Sequence, residues 1–131
     1  MEHRNHYIAQ TVNTASPAHL VTMLYDRLLL AIRRATIECD VENQSGNTEV
    51  CHNELVRAQR IVEELRFGLD EENGGEIASN LRSIYNYCHE LLVTANIAKS
   101  ANGLKDVEVI ITDIREMWVE NVDRGAVLAS S

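Results

Sequence analysis

The side chains that could do chemistry are few, and spacing gathers hardly any of them. Glu49-Val50-Cys51-His52 is a Glu-x-x-His step, the unit that di-iron helical bundles use twice, together with two further inward glutamates. It occurs once here, beside a polar stretch, so no di-metal centre is expected and no metal ligand is assigned. The dipeptides Cys51-His52 and Cys88-His89 cannot chelate from a helix, because adjacent helical residues point about 100° apart. His89 has helical sequence on both sides, as a phosphorelay histidine does. Asn86 and Glu90 flank it without a cation within a turn, whereas a phosphoryl group needs positive charge nearby. A histidine phosphotransfer bundle is therefore the alternative reading. His19 sits in the first turn of a predicted helix, where the dipole disfavours a cation, and is assigned to structure. HExxH, Walker, GxGxxG and GxSxG motifs are absent, and Glu63-Glu64 and Glu71-Glu72 fall in solvated stretches, so no enzyme, catalytic residue or cofactor is expected.

Charge and composition narrow the class further. The 20 acidic residues outweigh 12 basic ones, for a net charge of −8, which opposes nucleic acid and anionic lipid as partners. A 45% hydrophobic content excludes a disordered chain. The longest apolar run, Leu28 to Ile32, is far too short to cross a bilayer. Residues 1–16 hold no apolar stretch of signal-peptide type, so the expected setting is the cytoplasm, without membrane insertion. Cys39, Cys51 and Cys88 are odd in number, widely spaced and without a CxxC. They are expected to be reduced, partly buried thiols.

The elements that must carry a function are helices. Pro17 is the sole proline, and glycines at 46, 68, 74, 75, 103 and 125 divide the chain into segments of helical length. Ser16-Pro17 predicts the first helix start, with Ser16 as N-cap. Leu20, Leu24, Leu28, Ala31 and Ala35 form one stripe, Val21, Tyr25, Leu29 and Ile32 a second, and Met23, Leu30 and Ile37 widen the apolar surface. After a polar loop at 41–47, Leu55, Ala58, Ile61, Val62, Leu65 and Leu69 mark a second helix, ended by Gly68 and the run 70–75. Ile77, Leu81, Ile84, Tyr85, Cys88, Leu91, Leu92, Ala95 and Ala98 mark a third, for which Gly103 is the expected left-handed C-terminal cap. Val107, Ile110, Ile111, Ile114, Met117, Trp118 and Val122 give the inner side of a fourth, with an acidic outer face at Asp106, Glu108, Asp113, Glu116 and Glu120. The fold class predicted is all-α: an antiparallel up-down four-helix bundle over 16–124, with an N-terminal flap or short helix at 1–15 and a tail at 125–131.

Tyr7, Gln10, Val12, Thr14-Ala15-Ser16-Pro17, Leu20 and Met23-Leu24-Tyr25-Asp26 resemble the opening signature of the FliS family of flagellin export chaperones. Leu81, Ile84-Tyr85, Tyr87, Leu91-Leu92 and Ala95-Asn96 resemble its third helix, and Ile114-Arg115, Trp118 and Glu120 its closing helix. Arg27-Leu28 departs from the pattern, where a small residue, often glycine, is expected, and the Gly46 region is longer and more polar than the family needs. The resemblance implies a cytoplasmic protein that binds the disordered C-terminal segment of flagellin, blocks its premature polymerisation and delivers it to the export gate protein FlhA. A disordered segment must be offered apolar grooves to offset its ordering. The candidate groove residues are Val21, Tyr25, Leu29 and Ile32, with Ile84, Tyr87 and Ile110 as additions. The resemblance assigns Tyr7 and Ile8 to a flap over the groove or to contact with the gate.

Overall fold

A computed structural model describes residues 15–40 and 45–124, and within them four helices follow one another: α1 Pro17–Glu38, α2 Thr48–Phe67, α3 Glu71–Ala98 and α4 Leu104–Trp118, the last continued by a π-helical turn at Val119–Asp123. α1 opens as expected: the Ser16 hydroxyl accepts the His19 N–H, and Pro17 occupies the first turn, where its missing donor costs nothing. Asn47 and Asp70 cap α2 and α3 in the same way, through the N–H groups of Val50 and Asn73.

α1 packs on α2 and on α4, while α3 packs on α2 and more lightly on α4. The ends pair as an up-down bundle requires. The residues after α1 and α3 meet in an isolated backbone bridge, Asp40 to Ser100, and the other end joins His19 to Asp123. Leu28, Ile32, Leu55, Leu92, Leu104 and Ile111 are all at 0% exposure in the core. Burying such side chains stabilises by about 1.5–3 kcal/mol each before entropy is counted, and the helices hold together by this.

Several expectations are corrected. Cys39 and Cys51 form a disulfide that ties the end of α1 to the first turn of α2, across a separation of 12 residues. The odd count hid this, because the unpaired member is Cys88, buried on α3. Burial pushes the Cys88 thiol up to about 11, which keeps it protonated and unreactive. Gly103 does not end α3. The left-handed cap is Lys99, whose N–H donates to Ala95, and Gly103, at a φ of 84°, instead begins α4. α3 begins earlier than expected, at Glu71, and kinks at Gly75, whose φ of 54° suits glycine. Gly46 answers a different need: a Cβ there would stand 2.2 Å from the Glu38 carbonyl oxygen, so the loop closes on α1 only with glycine. Met117 and Val122 face solvent rather than the core, as do Leu30, Ile37 and Ile77.

Candidate binding site

At the end of the bundle where α1 begins, α2 ends and α3 begins lies a hollow of about 500 Å³. Its walls are apolar: Val21, Leu24 and Tyr25 from α1, Leu65 from α2, Leu69 just beyond it, Ala78, Leu81 and Tyr85 from α3, and Trp118 from α4. Glu64, Asp70 and Asn73 stand at its edge, and Ile77, 73% exposed, adds an apolar lip. Tyr25 and Tyr85 are buried and share a hydroxyl–hydroxyl bond of 2.7 Å. Burial pushes both phenols up from their ordinary value, so the pair stays neutral, and the charges that line the hollow are the carboxylates of Glu64 and Asp70.

One edge of the hollow is pinned by a polar cluster. The Trp118 indole N–H donates to the Ala18 carbonyl at 2.8 Å. One turn of π-helix later, Asp123 swings back onto α1. Its Oδ2 accepts the Thr22 hydroxyl at 2.7 Å and meets His19 Nδ1 at 3.0 Å. Both partners share one carboxylate oxygen, so the histidine does not stand between acid and hydroxyl and the trio forms no proton relay. The hydrogen bonds from Thr22 and His19 hold the Asp123 carboxyl below its ordinary value. A depressed carboxylate stabilises the fold above its unfolded pKa, near 3.9, and loses that contribution as pH falls through its folded value. The expected result is that Asp123→Asn lowers the melting temperature at neutral pH, and that the gap to the parent chain closes on acidification below about pH 4. A gap constant with pH would contradict it. Sequence reasoning missed Asp123, since 101 residues separate it from Thr22 and no local pattern marks it.

The predicted site residues separate into four groups. Val21 and Tyr25 line the hollow. Leu29 and Ile32, at 5% and 0% exposure, are core and do not line it. Ile84 and Ile110 are half-buried against that core, and Tyr87 is exposed on α3. Tyr7 and Ile8 lie outside the described residues. Leu24, Leu65, Leu69 and Leu81, members of the apolar stripes, join the site, as does Ala78, which the stripes do not include: periodicity reports an inward direction and cannot tell a filled interior from an open hollow.

The chemistry-bearing motifs stay apart. His52 Nδ1 lies 3.1 Å from the Asn96 side-chain oxygen, and among the described residues no three metal-binding side chains cluster. His89 Nε2 faces the Glu63 carboxylate at 3.0 Å, an anion where a phosphoryl group would need a cation. No helix is long and apolar enough to cross a membrane among those described.

An apolar hollow on a four-helix bundle is common to many binding proteins, and the family comparison decides between them. Residues 1–125 match the model of the flagellar protein FliS. The chain belongs to the FliS family. Among FliS relatives, the flagellar secretion chaperone FliS of Bacillus subtilis (strain 168) is 33% identical over 116 residues, covering 88% of this chain and 83% of that protein. The FliS chaperone of Salmonella typhimurium is 34% identical over 112 residues, 85% of this chain and 80% of its own. That of Escherichia coli (strain K12) is 34% identical over 116 residues, 88% and 82%.

Proposed function

We propose that this FliS family member is a cytoplasmic export chaperone that binds the disordered C-terminal segment of flagellin in the hollow at the α1–α2–α3 end, keeps it from polymerising and presents it to the export gate protein FlhA. The observation that carries the reading is an apolar-walled hollow, edged by Glu64 and Asp70 and open to solvent, in a chain of this family. Ordering a disordered segment costs about 2–5 kcal/mol, and each apolar side chain buried returns about 1.5–3 kcal/mol. Two or three anchoring side chains therefore suffice, and the walls from Val21 to Trp118 offer a place for them. Tyr87, exposed at 48%, and the half-buried Ile84 and Ile110 extend the proposed contact beyond the hollow. Leu29 and Ile32, buried in the core, hold α1 in place and are not contact residues in this reading. Residues Tyr7 and Ile8 are proposed to cover the hollow when it is empty and to reach the gate when flagellin displaces them.

One binding experiment tests these assignments together. Leu81→Glu, which puts a charge on the half-buried wall of the hollow, should weaken binding of a flagellin C-terminal fragment at least about tenfold while helical circular dichroism stays intact. Deletion of residues 1–12 should leave the hollow accessible, tighten that binding and weaken capture of the loaded complex by the cytoplasmic part of FlhA. Unchanged affinity in Leu81→Glu removes the hollow from the account. Unchanged flagellin and gate binding in the deletion removes the flap.

A further inference from the structure

The net charge of −8 conceals an uneven distribution. Ten of the 12 basic residues are arginines and two are lysines. Five of the arginines line one face running across α1, α2 and α3, which adjoins the apolar hollow at Glu64. Arg27 and Arg57 flank one depression between α1 and α2. Arg57 and Arg60 line the next, on α2. Arg60, Arg66 and Arg82 line a third, toward α3. Shared residues make the three depressions one continuous band.

The band is only partly neutralised. Arg57 lies 3.4 Å from Glu54, Arg82 pairs with Glu71, and Arg66 donates to the Asn86 side chain at 2.8 Å. Arg27 and Arg60 have no ion pair among the described residues. Large apolar side chains mark both ends: Leu30, 48% exposed, beside Arg27, and Phe67, 93% exposed, beside Arg66 and Arg82. Phe67 thus leaves nearly its whole phenyl ring in water next to guanidinium groups. Such a surface suits an interface, where arginine and aromatic side chains are the common anchors.

We propose that this band is a docking surface for an acidic amphipathic helix of a partner protein, adjoining the apolar hollow but lined by a different set of cations. Guanidinium forks grip carboxylates in bidentate fashion, which lysine does not. Arg57 and Arg60 stand one helical turn apart, matching carboxylates spaced three or four residues apart on a facing helix. Leu30 and Phe67 receive that helix's apolar residues. A nucleic acid fits less well, because Glu63 and Glu64 interrupt the cations: an unbroken phosphate chain would run over these carboxylates, whereas a helix with spaced acidic residues can set its apolar or neutral positions against them.

The test uses the full chain and a synthetic helical peptide of about 18 residues, with Asp or Glu at every third or fourth position and leucines beside them, followed by fluorescence anisotropy at about 0.15 M ionic strength. Saturable binding is expected, weakened about tenfold or more by the pair Arg27→Glu and Arg60→Glu and partly retained by the lysine pair at the same positions. Arg124→Glu, off the band, should leave it unchanged. All three sites are exposed, so the fold should survive and is checked by circular dichroism. The proposal is overturned by no peptide binding, by equal binding to the charge-reversed pair, or by a DNA duplex that binds as tightly as the peptide. It is also overturned by sedimentation showing that the chain alone self-associates and that Asp113→Arg, on the exposed acidic face of α4, abolishes this. That outcome would assign the band to a second copy of the chain.

Discussion

Reducing the Cys39–Cys51 disulfide should lower the stability of the bundle by about 3 kcal/mol. The bridge closes a separation of 12 residues, and the loop-closure entropy removed from the unfolded chain at that length is about 3 kcal/mol. Against a total of about 5–15 kcal/mol for a domain of this kind, that is a large share. Yet it leaves the fold standing, because the hydrophobic core does not depend on the bridge. The measurement is urea unfolding with and without dithiothreitol. The midpoint should fall in reductant for the parent chain and for Cys88→Ala, and a Cys39→Ser, Cys51→Ser double variant should be insensitive to reductant. An unchanged midpoint in the parent would contradict the prediction. The proposed cytoplasmic setting is reducing, so the midpoint in dithiothreitol gives the stability available there.

The second large effect separates core from surface on one helix. Ile32→Ala should destabilise by about 2–5 kcal/mol, since Ile32 is wholly buried and its truncation leaves a cavity. Leu30→Ala, two residues away and 48% exposed, should cost less than about 1 kcal/mol. Denaturant unfolding of both variants checks the pair. Equal costs would show that α1 is embedded differently from the arrangement described. The contrast matters for function too: loss of flagellin binding in Ile32→Ala would report a damaged fold, whereas loss in Leu81→Glu with helicity kept reports the site itself.

Much of the scaffold was legible because local rules and global packing agree. Ser16-Pro17 starts α1 as capping chemistry requires, and three- and four-residue apolar steps mark each later helix. What escaped is what depends on distance in the chain or on the environment of a single side chain. The Cys39–Cys51 pair needs α1 and α2 to turn at a known place before the two thiols can be seen to meet. Asp123 reaches Thr22 and His19 only because a π-helical turn rotates it back onto α1. α1 is apolar nearly all round, so periodicity alone could not say that Leu30 and Ile37 face water while Leu29 and Ile32 do not. The same ambiguity blurred the site. Val21 and Tyr25 were anticipated, but Leu24, Leu65, Leu69 and Leu81 share their stripe pattern with residues at the centre of the core. Gly103 was misplaced because a glycine after a helix suggests a left-handed cap, whereas Lys99 adopts that conformation four residues earlier.

The central claim is that the apolar hollow binds a flagellin segment that orders as it binds. Calorimetric titration of the full chain with the C-terminal segment of its own flagellin, at several temperatures, tests this most directly, with a fragment lacking the last flagellin helix as comparison. Saturable binding with a large negative heat-capacity change, lost in the shortened fragment, is the result expected, because burial of apolar surface and coupled folding both give that sign. A folded chain that takes up no heat with either fragment, or that binds both equally with no heat-capacity change, would contradict the claim.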